Sequence, residues 1–296
     1  MSYLFNDQVG FKDNAVDAFN RLKTSTPFTL FDSQNRYQAN DKWDVLAATG
    51  GTSGYLPNES TITLTAGTTI GSKVYRETKR VFPYQPGKSL LVLQTFTFPA
   101  KTEGLRTRIG YFGTQNGIYL EQNGQTAYFA IRSYTSGSVD DSRKIPQSQW
   151  NVDTFDGNGP SGNILDLTKT QIFFTDMEWL GVGSVRCGFF VDGKPVVAHR
   201  FDNDNIQTAV YMTTAVLPLR NEIENLTGQT ASHQMKVICG SVMSEAGYEG
   251  FSRRYNMTKN GSNPTTLTTA DTAYPMIALR LNSNRLDSVI VPSNLS

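Results

Sequence analysis

The chain has 296 residues, of which 38% are hydrophobic, 11% aromatic and 18% charged, enough apolar material for one large domain or two smaller ones without disulfides. Its 27 Lys and Arg against 26 Asp and Glu leave a formal charge of +1, so no field of one sign is present to gather nucleic acid or an anionic membrane from a distance. No segment approaches the ~18 consecutive apolar residues of a membrane span, and Met1 to Gly10 lacks the basic-then-apolar order of a leader, which makes a soluble product of the cytosol the default.

Residues 11–23, FKDNAVDAFNRLK, predict a short helix: Asp13 or Asn14 can cap it, and Val16, Phe19 and Leu22 fall near one face. Thr26-Pro27 stops it, and PFTLF follows in extended form, with Phe28 and Leu30 alternating against Thr29 and Phe31. A helix and extended arm ahead of a β core suit a docking strap. Trp43 to Ala48, STITLT and KVYRETKRV are short strand signals separated by Gly and Asn clusters, and in STITLT Ile62 and Leu64 alternate with Thr. SLLVLQTFTF, residues 89–98, is the strongest strand; its Leu/Val run suggests burial on both faces before Phe96 and Phe98 settle on one side.

LRTRIGYF, GIYLEQ and TAYFAIRS read as a three-strand meander, with Asn123-Gly124 supplying the dipeptide that tight hairpins prefer. Residues 134–163 form a Gly/Pro/Asn-rich excursion over one end, held down by Trp150 and Phe155. Gln171 to Trp179 and Val185 to Val191 are strands, and Asp192-Gly193-Lys194 turns the chain into Pro195 to Phe201. After residue 202, YMTTAVLPLRNEIEN and MKVICGSVMSE can each add a strand, and the apolar Val289-Ile290-Val291 needs a sheet of its own chain or of a neighbour. The expected architecture is all-β, a jelly-roll or concanavalin-like β-sandwich with a short N-terminal helix and extended arm. Its division is 1–40 for helix and arm, 41–225 for the sandwich, and 226–296 for a C-terminal β extension that completes the sandwich or contacts a neighbouring subunit.

Catalytic signatures are sparse. His199 and His233 are the only histidines and lack a cysteine pair at ligand spacing, so no zinc site and almost no Ser/His/Asp triad can be assembled. Cys187 and Cys239 lie among strand-like residues and read as two buried reduced thiols. Asp202 to Asn205 and Asp153 to Asn158 are acidic loops, but neither matches the calcium loop with its terminal Glu. GTTIGSK at 67–73 shares only Gly and Lys with a phosphate loop and reads as a turn. Asp176-Met177-Glu178-Trp179-Leu180-Gly181 resembles the tail of the carboxylate strand of retaining β-glucanases of the laminarinase type, with Asp176 and Glu178 on one face about 7 Å apart. Phe174 stands where that family's Glu-x-Asp-x-Glu pattern has its nucleophile, so the double displacement has no covalent partner. Trp179, between a strand and a Gly-x-Gly turn, reads as packing. No cofactor or metal is expected.

Longer blocks carry a different resemblance. NAVDAFNRLKTSTPFTLFDSQNRY, VYRETKRVFPYQPGKSLL, GLRTRIGYFGTQNGIYLEQNGQTAYFAIRSYTSG and FFTDMEWLGVGSVRCGFFVDGKPVVAHRF resemble virion structural proteins of tailed bacteriophages, especially those of cyanobacteria and marine bacteria, over roughly residues 14–220. The resemblance implies a non-enzymatic particle component, made in the host cytoplasm and found in the virion, associated with tail, baseplate or fibre. The alternatives are a capsid-surface decoration protein and a host-glycan receptor-binding module. Its partners would be other virion proteins, copies of itself and, in the third case, host surface glycan, with no nucleic acid and no membrane. Phe19, Phe28, Phe31 and Tyr37 are the expected assembly residues, and the loops at 134–163 and 202–208 the expected glycan contacts. Removing residues 1–40 should then leave a folded β domain that no longer enters particles.

Overall fold

The computed structural model describes residues 26–249, 266–274 and 279–280. The predicted helix with Phe19, and the apolar Val289 to Val291, lie outside the described residues. In chain order the first strands are β1 (Phe28–Ser33), β2 (Trp43–Ala48), β3 (Thr52–Leu56), β4 (Thr61–Ala66), β5 (Lys73–Thr78) and β6 (Phe82–Pro83). They are followed by β7 (Leu90–Thr97), β8 (Thr102–Phe112), β9 (Gly117–Gly124), β10 (Thr126–Ser133), β11 (Asp140–Pro146) and β12 (Gln171–Met177). The last are β13 (Val185–Val191), β14 (Lys194–Phe201), β15 (Val216–Leu217), β16 (Leu219–Asn225) and β17 (His233–Ser244).

Two sheets are stacked into the expected all-β sandwich. One has eight strands in the order β14-β13-β12-β7-β17-β4-β3, with β1 also on β17; the other has seven, β11-β10-β9-β8-β16-β5-β2. Every pairing is antiparallel. The core between the sheets is fed by alternate residues, as the strand period requires: Ile109 and Tyr111, Ile118 and Leu120, Phe129 and Ile131, Phe173 and Met177 are all buried. Each large side chain buried in this way contributes roughly 1.5–3 kcal/mol. Buried polar pairs cross the core: Gln94 Nε2 donates to Asn221 Oδ1 at 3.2 Å, tying β7 to β16, and Trp43 Nε1 donates to Ser33 Oγ at 2.8 Å, tying β2 to β1.

Several expectations change. β7 alternates instead of burying both faces: Leu90, Val92 and Phe96 turn inward while Leu91 and Leu93 are half-buried on the outer side. In β1 a register shift between Thr29 and Phe31 sends both Leu30 and Phe31 into the core and leaves Phe28 outside, which strict alternation does not allow. The arm expected at 1–40 therefore ends earlier, because β1 is part of the sandwich and Asn35 is buried, with its Nδ2 donating to the carbonyl of Ile238 at 2.8 Å. Cutting at residue 40 would strip β1 from the eight-stranded sheet and take the buried Leu30, Phe31 and Asn35 with it. After residue 225, β17 lies inside the eight-stranded sheet, pairing β7 on one side and β4 then β1 on the other.

The excursion after β10 begins with a strand the sequence pattern did not announce, the polar β11. Beyond it, Trp150 and Phe155 are buried as expected. Two turns follow the sequence with one difference. Asp192 and Gly193 both take positive φ, 50° and 75°, in the β13–β14 hairpin. Between β9 and β10 the two-residue loop is Gly124-Gln125, one step later than the Asn-Gly expectation, with Gly124 at φ 58°.

Candidate functional site

The predicted assembly residues part company. Phe28 is 47% exposed and stacks on Tyr248 at 5.7 Å, and Tyr37 is 82% exposed beneath the Arg36 guanidinium. Phe31 is spent inside: its ring lies 5.9 Å from Trp43 and 4.9 Å from Phe82, so it has no surface to offer a partner. The bulge in β1 is the reason.

The loops that converge at the end of the sandwich where β12 and β14 finish are more distinctive. The β12–β13 loop is tightly held: Gly183 donates its N–H to the carbonyl of Trp179 at 2.7 Å, and Asn203 Nδ2 donates to the carbonyl of Gly183 at 2.6 Å. A Cβ on Gly183 would stand 1.9 Å from the carbonyl oxygen of Glu178, so only glycine fits there. Leu180 is exposed and held at φ +38°, an unfavourable value for a branched side chain. Tyr211 donates its backbone N–H to the carbonyl of Gly181 at 3.0 Å, joining the β14–β15 loop to this turn. Trp179 packs edge-on against Tyr84 at 6.0 Å. The Tyr84 and Tyr211 hydroxyls and the Trp179 indole N–H are buried without a hydrogen-bond partner among the described residues. Tyr84 and Tyr211 themselves are 8% and 4% exposed. Burial pushes the pKa of both phenols up, so they remain neutral O–H donors at any physiological pH. Buried donors of this kind are normally satisfied, and an ordered water or a ligand acceptor is what satisfies them. Glu178, exposed, stands at the rim.

The carboxylates fall into two sets. On β12, Phe174 is buried edge-on to Phe190 and Asp176 is paired with Arg186 of β13, while Glu178, just past the strand, faces solvent. The outer face of the seven-stranded sheet carries a lattice of charges that the sequence reading missed. Arg108 donates from Nε to Glu121 Oε2 at 2.6 Å and from Nη1 to Glu222 Oε2 at 3.4 Å, and Lys144 donates to Glu121 Oε1 at 2.9 Å. Arg220 donates to Glu222 Oε1 and Glu77 Oε2, each at 2.7 Å, with its guanidinium 3.8 Å above the Tyr75 ring. Arg132 grips both oxygens of Asp141 at 2.8 and 2.9 Å, and the Tyr119 hydroxyl donates to the same carboxylate at 2.9 Å. Burial works against the Asp141 charge, but its bonds to Arg132 and the Arg132 and Arg108 charges outweigh it and hold the carboxyl down at about 2. Glu222 is likewise kept below the usual range: burial opposes it, and the Arg220, Lys73 and Arg108 charges prevail. Asp141 and Glu222, held ionised by the cations around them, offer no proton to a leaving group. The signal was present as charge at every second position, Arg106 and Arg108 in β8 and Arg220, Glu222 and Glu224 in β16, a pattern read only for its apolar half.

The remaining candidates are accounted for locally. His199 is buried, its Nδ1 accepting the backbone N–H of Asn151 at 3.2 Å; burial and then the Arg143 charge lower its pKa to about 4 against a smaller pull from Asp202. Cys187 is buried, but Cys239 is exposed, which corrects the expectation of two buried thiols. Asp153 accepts the N–H groups of Phe155 and Ser161, each at 2.8 Å, and Asp202 pairs with Arg200 at 2.7 Å, so both acidic loops spend carboxylates on themselves. Among the described residues no three His, Cys, Asp or Glu side chains are grouped to hold a metal. The 67–73 segment is a turn, with Gly67 N–H donating to Ser72 Oγ at 2.7 Å.

Fold and site together define an antiparallel β-sandwich with a polar loop end. No family model matches the sequence, and no curated protein does. Among solved structures, the chain is similar to one from a study of endo-acting O-glycanases of the human gut microbiota, at 16% identity and a TM-score of 0.48 over 73% of this chain and 99% of that one. It is similar to the carbohydrate recognition domain of Emp47p at 11% identity and 0.44, covering 80% of this chain and 100% of that one. A third is the CBM2 module of the evolved Dit of Lactobacillus casei BL23 phage J-1, at 7% and 0.47, covering 77% and 100%. Likeness at this level concerns the arrangement of strands, and ligands and reactions do not transfer with it.

Proposed function

We propose that this chain is a non-catalytic structural component of a tailed-bacteriophage particle, associated with tail, baseplate or fibre, that assembles with copies of itself and other particle proteins. The observation that carries the non-catalytic reading is the state of its carboxylates: Asp176 is tied to Arg186, the sheet-face acids are tied to arginines and lysines, and Phe174 occupies the nucleophile position. The particle reading is supported by the sequence blocks, which fall on β1, β5, β8 to β10 and β12 to β14, strands of both sheets. Immunogold labelling of purified particles of the encoding phage tests it. Gold at a repeated position on the tail, baseplate or fibre is the expected result, and protein found only in the infected-cell lysate overturns it. The docking strap is tested by removing residues 1–25 instead of 1–40, because that cut leaves β1 in place. Release of reducing sugar from host polysaccharide, abolished in Glu178→Gln, would overturn the non-catalytic reading.

A second reading, host-glycan contact at the loop end, rests on the buried donors of Tyr84, Trp179 and Tyr211 beside the exposed Glu178. A polyhydroxylated ring supplies acceptors for the three donors and hydroxyl donors for the carboxylate. Calorimetry against host-surface polysaccharide should show binding that Tyr84→Phe with Tyr211→Phe weakens at least tenfold while thermal stability holds, since removing an unpaired buried hydroxyl costs the fold little. Silence across the host's polysaccharides rejects this reading.

A further inference from the structure

We infer that β2 is a self-pairing edge: two copies of this chain join antiparallel through Val45, Leu46 and Ala47, so that their seven-stranded sheets become one continuous sheet. The inference stands on the strand itself and goes beyond the particle assignment. β2 ends the seven-stranded sheet, and residues 44–50 are all exposed, Val45 at 44% and Leu46 at 54%. The N–H of Lys79 donates to the carbonyl of Lys42 at 2.9 Å, and Trp43 is registered with Thr78. Ladder bonds to β5 therefore fall on the even-numbered residues, and the backbone N–H and C=O of Val45 and Ala47 point away from the sheet. Open edges of this kind are normally blunted by lysine, proline, a bulge or a covering segment. Inside β2 there is no lysine, proline or register shift, and its one charged residue is Asp44.

The strand is its own complement. With Leu46 placed opposite Leu46 of a second copy, Val45 faces Ala47 and both outward-pointing backbone pairs are satisfied. Asp44 then faces Ala48 of the other copy, whose neighbour across its own sheet is Lys73, followed by Glu224 and Arg106. The row so formed reads Arg, Glu, Lys, Ala, then Asp, Glu, Arg, with Asp44, Glu77 and Arg220 on the second half. Charges of opposite sign thus flank the seam, and the lattice of the sheet face continues from one copy to the next. The formal charge of +1 per chain opposes the approach of two copies only weakly. Because a single strand pair buries less than a standard interface, the pairing is weak in dilute solution and gains from the high local concentration of an assembly.

The test uses the full chain carrying Cys239→Ser, which removes the exposed native thiol. Leu46→Cys places two sulfurs on a non-hydrogen-bonded pair with Cα atoms about 4.5 Å apart, within disulfide reach. Mild oxidation should give a covalent dimer at least tenfold faster than Ile164→Cys, an exposed position in the segment between β11 and β12. Equal rates overturn the inference. Val45→Pro supplies the second measurement, because it removes an N–H that makes no bond to β5: it should leave the melting curve nearly unchanged and abolish the self-association seen by sedimentation. A folded Val45→Pro protein that associates as the parent does also overturns it.

Discussion

The two long sides of the sandwich are finished in opposite ways. On one side, where β11 and β14 are the last strands, the segment after β11 folds back along the gap. Val152 and Asp153 donate their N–H groups to the carbonyl of Ala198 at 3.1 and 2.9 Å, and Asn151 exchanges side-chain bonds with the N–H and carbonyl of Arg200 at 2.8 and 2.9 Å. Trp150 stacks on Phe129 at 4.2 Å and plugs the space between the sheets. On the other side β2 and β3, the last strands of their two sheets, are joined by the turn at 49–51, and residues 44–50 and 52–54 are exposed among the described residues. An edge costs little to leave open only if something later pairs with it or nothing can. The contrast sets a side closed by a returning segment against one that leaves the outer strand of each sheet exposed among the described residues, and the second is the side the proposed self-pairing would use.

The contrast can be broken at several points, beginning with the largest effect. Trp150→Ala should cost about 3–5 kcal/mol in urea unfolding, because it removes a buried aromatic stacked in a cluster with Phe129 and Phe189; a loss below about 1 kcal/mol would mean that the plug is ornamental. Acid should act on the same side. His199 is neutral when folded, with its pKa lowered to about 4, so the unfolded chain takes up the proton first as pH falls below its ordinary value. Stability is full above about pH 6.5 and should drop by roughly 2–3 kcal/mol between there and pH 4, a slope that His199→Gln removes. Asn151→Ala should cost about 1 kcal/mol, the two bonds to the Arg200 backbone set against hydration of the freed groups. On the open side Leu46→Ala should change unfolding by less than about 0.5 kcal/mol. If Leu46 proves as costly as Trp150, the two sides do not differ in kind.

The fold was legible wherever one strand announced itself by alternation and a turn residue had one job. The β8–β9–β10 meander and the Asp192-Gly193 hairpin are both of this kind. β11 was not legible, because DDSRKIP contains a single large apolar residue and its strand character comes from pairing with β10. The place of β1 and β17 was hidden for another reason: they meet each other across some two hundred residues, as in the pairing of Phe28 with Ser244, and no local pattern encodes a pairing of that span. The loop-end donors belong to three separate segments, those of Tyr84, Trp179 and Tyr211, so each alone reads as ordinary packing. The charge lattice, by contrast, was written in the period-two spacing of β8 and β16 and needed only to be read on the polar face as well as the apolar one.

The position of β17 has a consequence for biogenesis. This strand, completed only at Ser244, separates β7 from β4 and also carries β1, the first strand in chain order among the described residues. A nascent chain on the ribosome can assemble the β8–β9–β10 meander early, but the eight-stranded sheet stays split in two until β17 emerges, with the inward edges of β7 and β4 unpaired. Premature termination anywhere before β17 therefore yields a sticky half-sheet in place of a smaller stable domain, and chaperones should meet this protein chiefly before β17 has emerged.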